Sequence, residues 1–72
     1  MSLKMGDYVK ITKPLPTYQS LLKYKNAVGK VVNVYAGMID VQFEIEDTIE
    51  IRIFFKNEVT KIKPEEYLVE AI

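Results

Sequence analysis

The acidic side chains that can do chemistry lie in one short stretch of the chain. Asp40, Glu44 and Glu46 share one face of an alternating stretch, and paired carboxylates can act as general acid and base. Glu44, Glu46, Asp47 and Glu50 surround a turn, and their oxygen atoms are of the kind that a hard cation binds. The stretch lacks the spacing and the glycine of a calcium-binding loop. We therefore expect a solvated acidic hairpin, with no metal and no cofactor.

Nucleophilic catalysis needs an activated side chain, and the composition argues against one. The 72 residues include no histidine, cysteine or tryptophan. The hydroxyl groups of serine, threonine and tyrosine thus have neither an imidazole base nor a thiolate beside them. Disulfides and thiolate zinc sites are excluded as well. The sequence predicts a protein that binds and is not an enzyme, with no catalytic residue.

Net charge conceals an uneven distribution along the chain. Ten Lys and Arg residues balance ten Asp and Glu residues. Residues 1–30 carry six lysines and one acid, whereas residues 31–55 carry five acids and one arginine. Such polarity suits electrostatic steering toward a partner.

Alternation of apolar and polar residues predicts an all-β domain. Strands are expected at residues 7–12, 28–35, 38–44 and 49–55, with a short fifth strand at 60–63. We place the turn before the fourth strand near residues 46–48. Closing the sheet into a small antiparallel barrel would bury one face of every strand and cover most edges. The side chains expected inside are Val9, Ile11, Val31 or Val32, Val34, Ile39, Val41, Phe43, Ile51, Ile53 and Ile62.

Two stretches break the alternation. Residues 13–27 contain Pro14 and Pro16, which exclude a central strand and predict a long first loop. Residues 64–72 begin with a proline followed by two glutamates, which favours a short C-terminal helix or tail. In the expected fourth strand Phe54 points outward, where this helix covers it or a second copy binds it.

Several short motifs follow one another in a recognisable order. They are Gly6-Asp7-x-Val9-x-Ile11, Gly29-Lys30-Val31-Val32-x-Val34, Ile39-x-Val41-x-Phe43 and Phe54-Phe55-x-x-Glu58-Val59-x-x-Ile62. This order resembles the SH3-like barrels of KOW modules and of electron-transport accessory subunits. The long first loop is similar to that of the variable chain of ferredoxin–thioredoxin reductase. The resemblance implies a five-stranded SH3-like barrel over residues 5–63 of a single domain spanning 1–72, with one 3₁₀ turn before the last strand.

The candidate partner-binding residues are the apolar and basic side chains of the long loop, together with the outward phenylalanine. They are Lys13, Tyr18, Leu21, Leu22, Lys23, Tyr24, Lys25 and Phe54. Tyrosine and leucine ringed by lysine are typical of protein interfaces, which predicts an accessory subunit or adaptor that binds a protein. Alternatively, Tyr18 and Tyr24 are anchors packed on the barrel. A homodimer through Phe54 or the loop is also open.

Nucleic acid is the alternative partner. KOW-like barrels often bind RNA, and in such a module the loop lysines would neutralise phosphates while a tyrosine ring stacks on a base. No apolar run reaches the length needed to span a bilayer, and the N-terminus lacks the apolar region of a secretory signal. We therefore expect a cytoplasmic protein without a membrane partner.

Overall fold

Five antiparallel strands form one sheet in the order β4-β3-β2-β1-β5. The computed structural model describes residues 3–13 and 24–65. The elements are β1 (Tyr8–Ile11), β2 (Val28–Val34), β3 (Met38–Ile45), β4 (Thr48–Phe55), a 3₁₀ turn (Lys56–Glu58) and β5 (Val59–Ile62). The five expected strands and the 3₁₀ turn are confirmed. The strand order is compatible with an SH3-like fold, but the pairings stop at β4 and β5, so closure into a barrel remains a prediction.

The C-terminal helix expected over residues 64–72 falls largely outside the described residues. Pro64 and Glu65 are described, and both have helical backbone. The helix itself remains a prediction.

The core lies on one face of the sheet. Its buried apolar side chains are Leu3, Val9, Ile11, Tyr24, Val31, Ile39, Val41, Phe43, Phe54 and Val59. Alternation thus identified the inward faces of β1 and β3 correctly. Val31 is the buried member of the pair left open between Val31 and Val32, while Val34 and Ile62 are half-buried.

The face of β4 is the opposite of the one expected. Ile51 and Ile53 are exposed, whereas Phe54 is buried. The cause is a two-residue turn at Glu46 and Asp47, which pairs Ile45 of β3 with Thr48 of β4. Adding one residue to such a turn exchanges the two faces of the following strand.

Both turn residues have positive φ, 48° at Glu46 and 66° at Asp47. Two-residue turns of this kind match the twist of the strands that they join. Counting back along β3 from this turn, Phe43 lies opposite Glu50 and Ile39 lies opposite Phe54. The prediction that Ile51 and Ile53 are inward is therefore wrong, and so is the prediction that Phe54 points outward.

The opening Gly6-Asp7 pair positions β1 against β2. Gly6 has a φ of 94°, which glycine adopts without steric cost. Its N–H donates to the Val31 carbonyl at 2.8 Å, and the Val31 N–H donates to the Asp7 carbonyl at 2.8 Å. The Asp7 carboxylate accepts from the Lys4 N–H at 3.0 Å and lies 3.5 Å from the Lys61 ammonium of β5. One short motif thereby ties β1 to both neighbouring strands.

Candidate functional site

The outer face of β4 carries a continuous row of large apolar side chains. Ile49, Ile51, Ile53 and Phe55, here called the apolar row, are 62%, 48%, 44% and 38% exposed. They share one face because they occupy alternate positions of the strand, and Phe54 faces the core from the other side. A contiguous apolar patch on a small domain marks an interaction site more often than scattered exposed residues do.

Polar residues of β3 border the apolar row. Asp40, Gln42 and Glu44 lie opposite Ile53, Ile51 and Ile49, respectively. Because paired residues of an antiparallel sheet share a face, these polar side chains lie on the outer face as well. The turn residues Glu46 and Asp47 extend the acidic border at one end of the row, where the surface forms a shallow concavity.

Asp40 is held in place by two hydrogen bonds on this face. Its Oδ2 accepts from the Tyr35 hydroxyl at 2.7 Å and from the Asn33 amide at 3.2 Å. The hydrogen bond to Asp40, with smaller contributions from desolvation and from the carboxylate charge, raises the pKa of Tyr35 above its ordinary value of 10.0. The acidic border therefore includes a fixed carboxylate beside the apolar row.

β4 also forms an edge of the sheet. In antiparallel pairs, alternate residues direct both backbone groups toward the neighbouring strand or away from it. The Ile51 carbonyl accepts from the Arg52 guanidinium at 2.9 Å, and the Phe55 N–H donates to the Glu58 carboxylate at 2.7 Å. A two-residue turn closes on a hydrogen-bonded pair, here Ile45 and Thr48, so the residues of the apolar row direct their backbone groups away from β3, in agreement with both bonds.

An aromatic cluster joins the end of the long loop to the β3–β4 hairpin. The Tyr24 ring stacks on Phe43 with centroids 4.6 Å apart, and it meets Phe54 edge-to-face at 6.1 Å. The Tyr24 hydroxyl donates to the Glu50 carboxylate. Tyr24 and Phe54 are each 1% exposed, so neither is a surface contact. Tyr24 is the packed anchor that the sequence left as an alternative.

The other loop candidates divide into two groups. Tyr18, Leu21, Leu22 and Lys23 lie outside the described residues, and their role in partner binding remains a prediction. Lys13 and Lys25 are both exposed.

Backbone hydrogen bonds bring the two ends of the loop together. The Asn26 N–H donates to the Ile11 carbonyl at 2.6 Å, and the Ile11 N–H donates to the Ala27 carbonyl at 2.9 Å. Lys13 and Lys25 each lie within two residues of these bonds. The exposed lysines therefore belong to the same end of the sheet.

The carboxylates that the sequence grouped as possible cation ligands do not converge. Glu44 belongs to the outer face with its partner Ile49, whereas Glu50 pairs with Phe43 on the core side. The pleat of the hairpin sends these two side chains in opposite directions. In residues 3–13 and 24–65, no three His, Cys, Asp or Glu side chains come together as a metal site would require.

A buried carboxylate that the alternation did not indicate organises the turn before β5. Glu58 is 1% exposed, and its Oε1 accepts from the Phe55 N–H. Its carbonyl accepts from the N–H groups of Thr12 and Lys13, both at 3.0 Å. The motif Phe54-Phe55-x-x-Glu58-Val59-x-x-Ile62 contains this residue but gave no sign of its burial. Its contacts give it a structural role, holding the start of the long loop.

Comparison with known protein families found no match, and a search of curated proteins found none either. Among the described residues, no helix has the length and apolar character needed to cross a membrane.

Proposed function

We propose that the protein is a non-catalytic binding module whose partner is a protein, and that the apolar row is part of the contact surface. The observation that carries this proposal is the exposure of four adjacent large apolar side chains on one strand. Contact with water makes such a row costly, and covering it with a complementary protein surface removes that cost.

The border of the row indicates the chemistry of the partner. Asp40, Glu44, Glu46 and Asp47 place negative charge beside and beyond the apolar side chains. A protein surface with an aliphatic or aromatic centre and a Lys or Arg rim complements this pattern. Nucleic-acid phosphates would be repelled from the same face.

We retain the SH3-like barrel, with its KOW-like and reductase-subunit resemblance, as part of this proposal. The compatible strand order supports it. An accessory subunit built on such a barrel would present the outer face of β4 and the long first loop to its partner.

Selection from a displayed peptide library tests the proposal with a defined set of ligands. We expect enriched peptides to alternate aliphatic or aromatic residues with Lys or Arg. The double substitution Ile51→Ser with Ile53→Ser should weaken their binding by about tenfold or more, since each lost contact removes apolar burial. Met5→Ser is the matched control, because Met5 is 66% exposed and lies away from the row. Enriched peptides that bind the double variant unchanged would refute the apolar row as the site.

A nucleic-acid-associated role is the second candidate, and the exposure of Lys13 and Lys25 at one end of the sheet favours it. Filter binding of a single-stranded RNA over a salt series tests this role. If the lysines bind phosphates, the logarithm of the affinity falls linearly with the logarithm of salt, and Lys13→Ala with Lys25→Ala reduces the slope by about 1.4. Strong salt-dependent binding by the wild type would displace the protein-binding proposal.

A further inference from the structure

We propose that two copies of the chain pair edge to edge through β4, antiparallel about a two-fold axis at Ile51, and so join their sheets into one. This inference does not rest on the protein-binding role, because it uses backbone groups at the sheet edge and leaves the solvent-facing side of each apolar row accessible to a partner. It follows from the geometry of the edge, from its charge pattern and from its apolar side chains.

The edge offers backbone groups at the correct positions. In residues 3–13 and 24–65, β3 is the strand that pairs with β4, and the far side of β4 has no strand beside it. Ile49, Ile51 and Ile53 direct their N–H and C=O groups to that side. An antiparallel copy centred on Ile51 would form three hydrogen-bonded residue pairs, each exchanging two N–H···O bonds. The exposed bond from Arg52 to the Ile51 carbonyl would be replaced by one of them.

Charge selects this register over its neighbours. A two-fold axis at Glu50 would set Glu50 against its own copy, and an axis at Arg52 would set Arg52 against its own copy. Like charges directly opposite each other destabilise a strand pair. The axis at Ile51 instead places Glu50 opposite Arg52 of the second copy, in both directions. Within one chain these two side chains already lie 3.3 Å apart, so in the dimer each would have an opposite charge both along its own strand and across the two-fold axis.

Apolar side chains agree with the same register. It places Ile51 opposite Ile51 of the second copy, and Ile49 opposite Ile53, all on the outer face. Cross-strand pairs of branched apolar side chains stabilise a sheet. The two apolar rows would then lie side by side, and each would shield part of the other from water. An identical strand therefore complements this edge in hydrogen bonding, charge and apolar character.

Sedimentation equilibrium over a concentration series, from about 10 µM to about 1 mM, tests the proposal. We expect a reversible monomer–dimer equilibrium for the wild type. Arg52→Glu places like charges opposite each other and should raise the dimer dissociation constant about tenfold or more. Lys63→Glu makes the same change of charge at an exposed site just after β5, at the opposite end of the strand order from β4, and it should leave the constant unchanged.

Two variants with exchanged charges distinguish the loss of strand pairing from misfolding. Glu50→Arg carries two cations and Arg52→Glu carries two anions at the paired positions. Each variant should be weakly dimeric alone, and an equimolar mixture should form a heterodimer with close to wild-type affinity. Should Glu50→Arg fail to fold after losing its bond with Tyr24, hydrogen exchange of the wild type decides. With rising concentration, the amides of Ile49, Ile51 and Ile53 should gain protection.

Three results would overturn the inference. One is a wild type that stays monomeric to about 1 mM, and another is a dimer that Arg52→Glu leaves intact. The third is a monomer whose Ile51 amide gains protection when a selected peptide is added, since the edge would then receive a strand of another protein. The Arg52→Glu variant should still bind the selected peptides as the wild type does. Failure of the dimer proposal is therefore distinguishable from failure of the proposed function.

Discussion

At the scale of single residues, the Glu58 side chain takes the place of a neighbouring strand as the hydrogen-bond partner of the Phe55 backbone. The Phe55 N–H points away from β3, and the buried carboxylate accepts its hydrogen bond at 2.7 Å. A buried N–H group without a partner costs much more free energy than a satisfied one gains. Glu58 therefore allows the chain to leave β4 and enter β5 through a single 3₁₀ turn.

Substitution of Glu58 tests this role. We expect Glu58→Ala to lower the free energy of unfolding by about 1–3 kcal/mol, because the Phe55 N–H loses its acceptor. Glu58→Gln should be milder, since an amide oxygen can accept the same bond. Urea unfolding measures both, with Glu65→Ala as the exposed control. Equal stability of the Glu58→Ala variant and this control would contradict the capping role.

The contact between Tyr35 and Asp40 predicts a pH dependence. Because the hydrogen bond favours the neutral phenol, the folded-state pKa of Tyr35 is raised above its unfolded value. Its contribution to stability is therefore fully present below about pH 10 and is lost as the pH rises through the raised pKa. Absorbance titration should show a tyrosine that ionises at lower pH in Asp40→Ala, which has no acceptor for the hydroxyl, than in the wild type. Tyr35→Phe shows which part of the titration belongs to Tyr35, and identical titrations of wild type and Asp40→Ala would exclude the contact.

At the scale of elements, the β3–β4 hairpin shows how one residue more or less in a turn decides which face of the following strand is buried. The sequence of β4 alternates isoleucine with charged residues, a pattern that predicts isoleucine inside. Pairing of Ile45 with Thr48 instead aligns Phe54 with Ile39 on the core face. The aromatic cluster of Tyr24, Phe43 and Phe54 then fills the core at this end.

Adjacent phenylalanines of β4 test the register directly. Phe54→Ala should lower the free energy of unfolding by about 3–5 kcal/mol, the usual cost of a large aromatic cavity. Phe55→Ala should cost less than about 1.5 kcal/mol, because its side chain is already partly exposed. Thermal or urea unfolding of the two variants provides the comparison. The reverse order of stability would show that the isoleucine face of β4 is buried.

At the scale of the whole molecule, Gly29 lies where β2 packs tightly against β3. It pairs with Val9 of β1, and a Cβ at this position would lie 2.5 Å from the Val41 side chain and 2.7 Å from the Gln42 carbonyl. The β3 backbone cannot shift to make room for this Cβ without moving the neighbouring strand. Glycine at position 29 therefore lets β2 pair closely with the strands on both of its sides.

Gly29→Ala should reduce the stability of the entire domain by about 1–3 kcal/mol, as overpacking does in other cores. Gly37→Ala is the matched control, because a Cβ there meets nothing within 4 Å, and its effect should stay within about 0.5 kcal/mol. Denaturant midpoints of the two variants make the comparison. If both variants unfold at the same midpoint, β2 and β3 are not in close contact at Gly29.

Local pattern was sufficient for the strands and for the inward faces of β1 and β3, whereas the bulge between Val31 and Asn33 kept alternation from choosing the face of β2. Alternation is a property of consecutive residues, so Val9, Ile39 and Val41 are recognisable as core without any knowledge of their neighbours. The absence of histidine and cysteine likewise limits the available chemistry whatever the fold. The 3₁₀ turn before β5 was implied by the resemblance to SH3-like barrels.

Tertiary structure alone decided which side of β4 faces the core, and with it the candidate surface. Both faces of this strand carry apolar residues, so its own sequence does not choose between them. The choice came from the length of the turn and from the space that Tyr24 and Phe43 leave for Phe54. Burying Phe54 exposes Ile49, Ile51 and Ile53, because successive side chains of a strand point to opposite faces.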